Sequence, residues 1–159
     1  AGGDGPDLDA LVDGAVDELA LAVAELRQIA HGLRPSCLDD GLAPALESLT
    51  RSSALPLEVT YSADDLPDHV SLTAYYVASE GVANAVKHAA ASRVAVDVRQ
   101  EESVVHVAVR DDGRGGARLT PGSGLAMLSD RVNALGGRLT VSSEPRGGTS
   151  IEAVIPCAS

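Results

Sequence analysis

Apolar residues recur from Leu8 to Leu33 at alternating spacings of four and three: Leu8, Val12, Ala15, Leu19, Ala22, Leu26, Ile29 and Leu33. Such spacing is the seam of a coiled coil or helical bundle. Val16, Val23 and Ala30 widen the stripe, so the predicted helix needs more than one neighbour. Pro6-Asp7 suits its start and Arg34-Pro35 its end. A shorter amphipathic pattern, Ala43 to Arg51, turns Leu46 and Leu49 inward. Alternation with β-branched residues then predicts a first strand over Leu57–Tyr61. A helical pattern follows from about Ser71 to Ala90. Next comes a hairpin of Val94–Arg99 and Val104–Arg110 joined by Gln100–Ser103. Gly122-Ser123-Gly124 opens a further helix to about Leu135, which Gly136-Gly137 stops, and Arg138–Ser142 with Thr149–Ile155 reads as a closing hairpin.

The helix over Ser71–Ala90 places Glu80, Asn84, Lys87 and His88 on one face, with Tyr75, Ala78, Val82, Ala85 and Ala89 opposite. Taken alone, this is as consistent with a solvated face carrying an i,i+4 polar pair as with a site. The residues downstream favour a site. In the strand Val104–Arg110, Val105, Val107 and Val109 share a parity that Asp111 continues, so a carboxylate is predicted on the buried side. A buried charge needs a hydrogen-bond donor, and a ligand can supply one. Asp111-Asp112-Gly113-Arg114-Gly115-Gly116 follows, and its glycines allow a ligand close to the backbone. The glycine-rich helix start at Gly122–Gly124 is a natural anion site. Thr149 shares the inward parity of Ile151, Ala153 and Ile155, so its hydroxyl points into the same interior as Asp111.

The chain has 159 residues, enough for one domain plus an accessory element. With no Trp or Phe and only three Tyr, the core must be built from Val, Leu, Ile and Ala. A net charge of −11 leaves no basic patch to displace phosphate counterions, which argues against nucleic acid. Lys87 is the lone lysine among the twelve Lys and Arg residues. Cys37 and Cys157 lie far apart, outside metal or redox spacing, which suits a reducing compartment. No apolar run reaches transmembrane length and no signal peptide opens the chain, which points to a cytoplasmic domain. The start Ala-Gly-Gly-Asp-Gly suggests a fragment of something longer. His31 invites a phosphoacceptor reading. However, Gly32-Leu33-Arg34-Pro35 follows at once without an acidic residue, and a cation near a helix C-terminus is explanation enough.

A dinucleotide fingerprint needs its glycines to open a helix at once, and Gly113-Arg114-Gly115 leads into a loop instead. A Walker P-loop needs Gly-Lys, whereas the lone lysine follows Val86. The serine/threonine kinase signatures are absent. The ordered set Glu80-x-x-x-Asn84-x-x-Lys87-His88-Ala89, Asp111-x-Gly113-x-Gly115, Gly122-x-Gly124-Leu125 and Gly147-Gly148-Thr149 resembles the ATP-binding domain of two-component sensor histidine kinases. These belong to the wider ATPase superfamily that includes gyrase and the large heat-shock chaperones. The nitrate-sensor type is the nearest match, through Leu33-Arg34-Pro35, Leu38, Gly41-Leu42 and Ala45-Leu46.

The resemblance implies an α/β (α+β) two-layer sandwich of the Bergerat type, a mixed sheet under helices, over residues 37–159. Residues 1–36 would be the second helix of a dimerisation domain. It implies that Asn84 coordinates Mg²⁺ on ATP while Glu80 positions water or metal ligands around it, the pair that serves catalysis. Lys87 and His88 would lie near the phosphates. Asp111 would accept from the adenine amino group, with Thr149 assisting, and Gly113, Gly115, Gly122, Gly124 and Leu125 would flank a short lid. The implied partners are ATP, a response-regulator receiver domain and a second copy in the full-length homodimer, whose membrane attachment stays open. Two departures stand out: the first dimerisation helix with its phosphoacceptor is absent, and the lid between Gly116 and Gly122 is short. Two rival readings are an anti-sigma-factor-type protein serine kinase and a non-catalytic nucleotide-binding or dimerisation module.

Overall fold

The computed structural model describes residues 35–157. The expected helix over Leu8–Leu33, its seam and His31 lie outside the described residues. The chain divides between Pro35 and Ser36, and the second unit contains the sheet and its helices. A 3₁₀ turn at Ser36–Leu38 leads to helix α1, Leu42–Ser52, and strand β1, Leu57–Ser62. Helix α2, Asp68–Asn84, continues into a π-helical turn, Ala85–Ala89. Strands β2, Val94–Glu101, and β3, Val104–Asp111, precede helix α3, Gly124–Ala134, and strands β4, Arg138–Ser142, and β5, Thr149–Pro156, close the chain.

The sheet order is β1-β2-β3-β5-β4. β1 runs parallel to β2, and every other neighbour pair is antiparallel. Because strand side chains alternate, one parity fills one face. Val59, Val96, Val109, Ile151 and Val141 stand in one cross-strand row, and Tyr61, Val98, Val107, Ala153 and Leu139 in the next. This face is buried under helices: α2 packs on β2, β3 and β5, α3 on β4 and β5, and α1 on β1. The opposite face carries Asp97, Arg99, His106, Arg110 and Glu152. The result is the two-layer α/β sandwich with a mixed sheet that the sequence implied.

Three local expectations need correction. The hairpin turn is two residues, Glu102-Ser103, because Gln100 and Glu101 stay paired with Val105 and Val104. Helix α2 starts at Asp68, since Pro67, at φ −54°, has its carbonyl free to accept the N–H groups of Val70 and Ser71. Its end is not α-helical: the Ala85 N–H is shared between the carbonyls of Gly81 and Val82, and the backbone widens into the π turn. Ala85 and Ala89 remain buried while Val86, Lys87 and His88 turn out to solvent.

Helix α2 is also more enclosed than a two-faced pattern suggests, because it lies between α1, α3 and the sheet. Val70, Ala74, Tyr76 and Val77 are buried along with Ala78, Val82, Ala85 and Ala89 of the predicted stripe, while Tyr75 is half-buried. Gly81 makes the closest approach: a Cβ there would lie 2.8 Å from Val109 Cγ1, so this helix rests directly on β3.

Candidate functional site

The next inward row beyond Val109 is Leu57, Val94, Asp111 and Thr149. Strand parity thus carries a half-buried carboxylate onto the core face at the end of β3. Asp111 Oδ1 accepts the Gly113 N–H at 2.8 Å, the carboxylate's only hydrogen bond among the described residues. Oδ2 is left for a ligand. Gly113 is buried, and a Cβ there would strike the Ala89 carbonyl while lying 2.6 Å from Ala89 Cβ and 2.8 Å from Asp111 Oδ1. A Cβ at Gly148, φ +73°, would strike the Asp111 carbonyl. Both glycines are therefore required by close packing around this carboxylate.

Thr149 is the cross-strand partner of Asp111. Its Oγ1 lies 2.9 Å from Ser143 Oγ, which also accepts the Ala117 N–H at 3.0 Å and donates to the Gly148 carbonyl at 3.3 Å. Sequence reasoning missed Ser143, which stands in a turn before Glu144-Pro145 and carries no motif. The glycine-rich stretch is fastened on both sides. The Arg114 N–H donates to the Ala89 carbonyl at 2.7 Å, and the Gly113 and Arg114 carbonyls accept from Gly148 and Arg146. A Cβ at Gly115, φ +68°, would strike the Glu144 carbonyl. Asp112 points away and accepts from the Ser92 hydroxyl, the Ser92 N–H and the Arg93 N–H. These bonds hold its carboxyl down at about 2, so it is a structural clasp between the end of α2 and β2.

A second group forms where α2 meets α3. Glu80 is only 8 % exposed, yet its carboxylate makes no hydrogen bond or ion pair among the described residues. It abuts the start of α3, where a Cβ at Gly124 would strike Glu80 Oε1. Ser123 caps that helix by accepting the Ala126 N–H, and Leu125 is buried behind it. One turn beyond Glu80, Asn84 is half-buried and its amide likewise has no partner among the described residues. Lys87 and His88 are exposed on the π turn, and Gly122, at φ +79°, faces open space.

The described contacts thus join Asp111, Gly113, Gly148 and Thr149 in one corner, and Glu80 with Gly124 in another. Asn84, Lys87 and His88 lie along α2 and its π turn, which ends at Ala89 against the first corner. Among the described residues, hollows border Asp111 on both sides of its strand end. One of about 220 Å³ also takes in Thr149 and Gly148, and one of about 660 Å³ lies beside β1. Neither includes Glu80 or Asn84.

The donor set suits the cation that the resemblance implies. A carboxylate and an amide oxygen one turn apart, neither paired among the described residues, match a hard ion that keeps several waters. No group of three or more His, Cys, Asp or Glu side chains that could cage a metal exists among the described residues. Such an ion would draw its remaining ligands from phosphate and water. No helix of the described residues is long and apolar enough to cross a membrane.

Residues 69–159 match the family described as histidine kinase-, DNA gyrase B-, and HSP90-like ATPase. The signal transduction histidine-protein kinase/phosphatase UhpB of Salmonella typhimurium is 35 % identical over 155 residues, 89 % of this chain and 30 % of UhpB. The nitrate/nitrite sensor protein NarX of Escherichia coli is 30 % identical, over 85 % of this chain and 24 % of NarX. Against these two curated relatives the chain spans less than a third of their length. Among solved structures, the ATP binding domain of PrrB from Mycobacterium tuberculosis superposes with a TM-score of 0.55 at 24 % identity. That match covers 74 % of this chain and 92 % of the other, and it concerns the fold.

Proposed function

This chain belongs to the histidine kinase-, DNA gyrase B-, and HSP90-like ATPases as the ATP-binding catalytic domain of a sensor histidine kinase, and on that premise we propose how its residues act and what the whole protein does. The whole protein binds Mg·ATP and passes the γ-phosphoryl group to a histidine on a dimerisation helix, from which a response-regulator aspartate receives it. Residues 1–36 belong to that dimerisation domain, the protein works as a homodimer, and this domain operates in the cytoplasm.

The observation that carries the site assignment is the half-buried Asp111 carboxylate, with one oxygen fixed by Gly113 and the other without a hydrogen bond among the described residues. Asp111 accepts from the adenine amino group, and Thr149 supports it from the neighbouring strand. Asn84 would hold Mg²⁺, with Glu80 positioning water or metal ligands around it, and the ion would supply charge neutralisation at the phosphates. The free N–H groups at the start of α3, beside Gly124 and Leu125, face the phosphates, while Lys87 and His88 meet them from the π turn. Gly113, Gly115 and Gly122 flank the lid segment over the phosphates. In such a site the protein contributes positioning and charge complementarity rather than a covalent intermediate of its own.

Phosphohistidine separates this reading from its rivals. Full-length protein incubated with γ-labelled ATP and Mg²⁺ is expected to carry acid-labile, base-stable label on a histidine. Label on a partner's serine would instead indicate the anti-sigma-factor type. ATP binding without any label would indicate a non-catalytic module.

A further inference from the structure

Ser143 Oγ meets three polar groups: the Ala117 N–H, the Gly148 carbonyl and Thr149 Oγ1. A hydroxyl has one hydrogen to give and two lone pairs to receive with. Ala117 occupies one lone pair. The hydrogen has two claimants, the Gly148 carbonyl at 3.3 Å and Thr149 Oγ1 at 2.9 Å. Gly148 is buried, whereas Thr149 is half-buried and reaches the site. A buried carbonyl left without a donor is costly, while a half-buried threonine hydroxyl can serve as donor itself. The arrangement that satisfies every group has Ser143 donating to Gly148 and Thr149 donating to Ser143. Thr149 then shows the ligand only lone pairs.

Asp111, directly across the strand pair, also shows only lone pairs. Two acceptors side by side suit a base edge that presents N–H groups and disfavour one that presents a carbonyl. The geometry points to Ser143 as the positioning residue that fixes the hydrogen-bonding sense of Thr149, and so strengthens the choice of a 6-amino over a 6-oxo purine. This rests on the reading of the Asp111 corner as the adenine site. It adds a residue that touches no ligand and acts through its neighbour.

The test compares ATP with ITP, which replaces the 6-amino group by a carbonyl, using calorimetric titration of wild type, Ser143→Ala, Ser143→Thr, Thr149→Ala and Asp111→Asn. In Ser143→Ala the Thr149 hydrogen is released and can turn to a carbonyl. The ATP-over-ITP preference is then expected to narrow by about five- to tenfold, the worth of one neutral hydrogen bond. Ser143→Thr keeps the hydroxyl and should restore the preference, and adding Ser143→Ala to Thr149→Ala should narrow it no further. An equal loss of both nucleotides in Ser143→Ala, or no change, would overturn the inference while a weakened Asp111→Asn leaves the adenine corner standing. Unchanged ATP affinity in Asp111→Asn would overturn the corner itself, and the inference with it.

Discussion

Replacing glycine by alanine inside a helix ordinarily adds about 1 kcal/mol of stability. Gly81→Ala is expected to do the reverse. The new Cβ would lie 2.8 Å from Val109 Cγ1 and 2.9 Å from both Val109 Cβ and Cγ2. These atoms belong to one branched side chain, 3 % exposed in the middle strand of the sheet, so no flexible end can swing aside. Overpacking of this kind costs about 1–3 kcal/mol, and the short contacts place it toward the upper end. Less the helix gain, a net destabilisation of about 1–2 kcal/mol remains. Val109→Ala alone removes two buried methyl groups, worth about 1–3 kcal/mol. In the double variant the alanine methyl occupies part of the vacated space, so the two losses should fall short of their sum by about 1–2 kcal/mol. Urea denaturation followed by far-ultraviolet circular dichroism measures all four corners of the cycle. Additive losses, or a Gly81→Ala protein more stable than wild type, would refute the direct seating of α2 on β3, and with it the seating of Glu80 against α3.

Asn84→Ala should weaken Mg·ATP by at least the ~10-fold that losing even an outer-shell partner costs a metal site, while leaving metal-free ADP binding nearly unchanged. Calorimetry with and without Mg²⁺ checks this, and equal losses in both conditions would take the metal away from Asn84. The Asp112 clasp predicts a pH dependence. With its folded pKa lowered to about 2 from 3.8, its contribution to stability is full above about pH 4 and is lost as pH falls through 2. Asp112→Asn should therefore be the less stable protein at pH 7, with the gap to wild type closing between pH 4 and 2 in urea titrations. A gap that stays constant across that range would refute the clasp.

The sheet was legible because period-two alternation survives in every strand, and parity alone carried Asp111 to the inward row. The antiparallel hairpin of β2 and β3 could be read, but the true turn could not. Gln100 and Glu101 are polar because one lies toward the sheet's end and the other faces outward, and neither fact stops backbone pairing. The faces of α2 were only half legible. Its partners on three sides come from α1, α3 and the sheet, so Tyr76 and Val77 are buried off the predicted stripe. The π turn was hidden because Val86, Lys87 and His88 continue an acceptable α pattern. Its last residue, Ala89, is held by the Gly113–Arg114 segment, more than twenty residues on, which no local pattern announces. Glu80 against Gly124 and Ser143 against Thr149 were invisible for the same reason, since each is a meeting of elements rather than a spacing within one. The reading of residues 1–34 stays an expectation, because those residues lie outside the described structure.

The most direct test of the nucleotide site is calorimetric titration of ATP and GTP into wild type and Asp111→Asn. Guanine presents a carbonyl where adenine presents an amino group, so the wild type should bind ATP and bind GTP poorly. Asp111→Asn loses a charge-assisted hydrogen bond of roughly 1.5–3 kcal/mol, and its ATP affinity should fall about ten- to a hundredfold. Equal affinity of the wild type for ATP and GTP, or undiminished ATP binding by Asp111→Asn, would contradict the assignment.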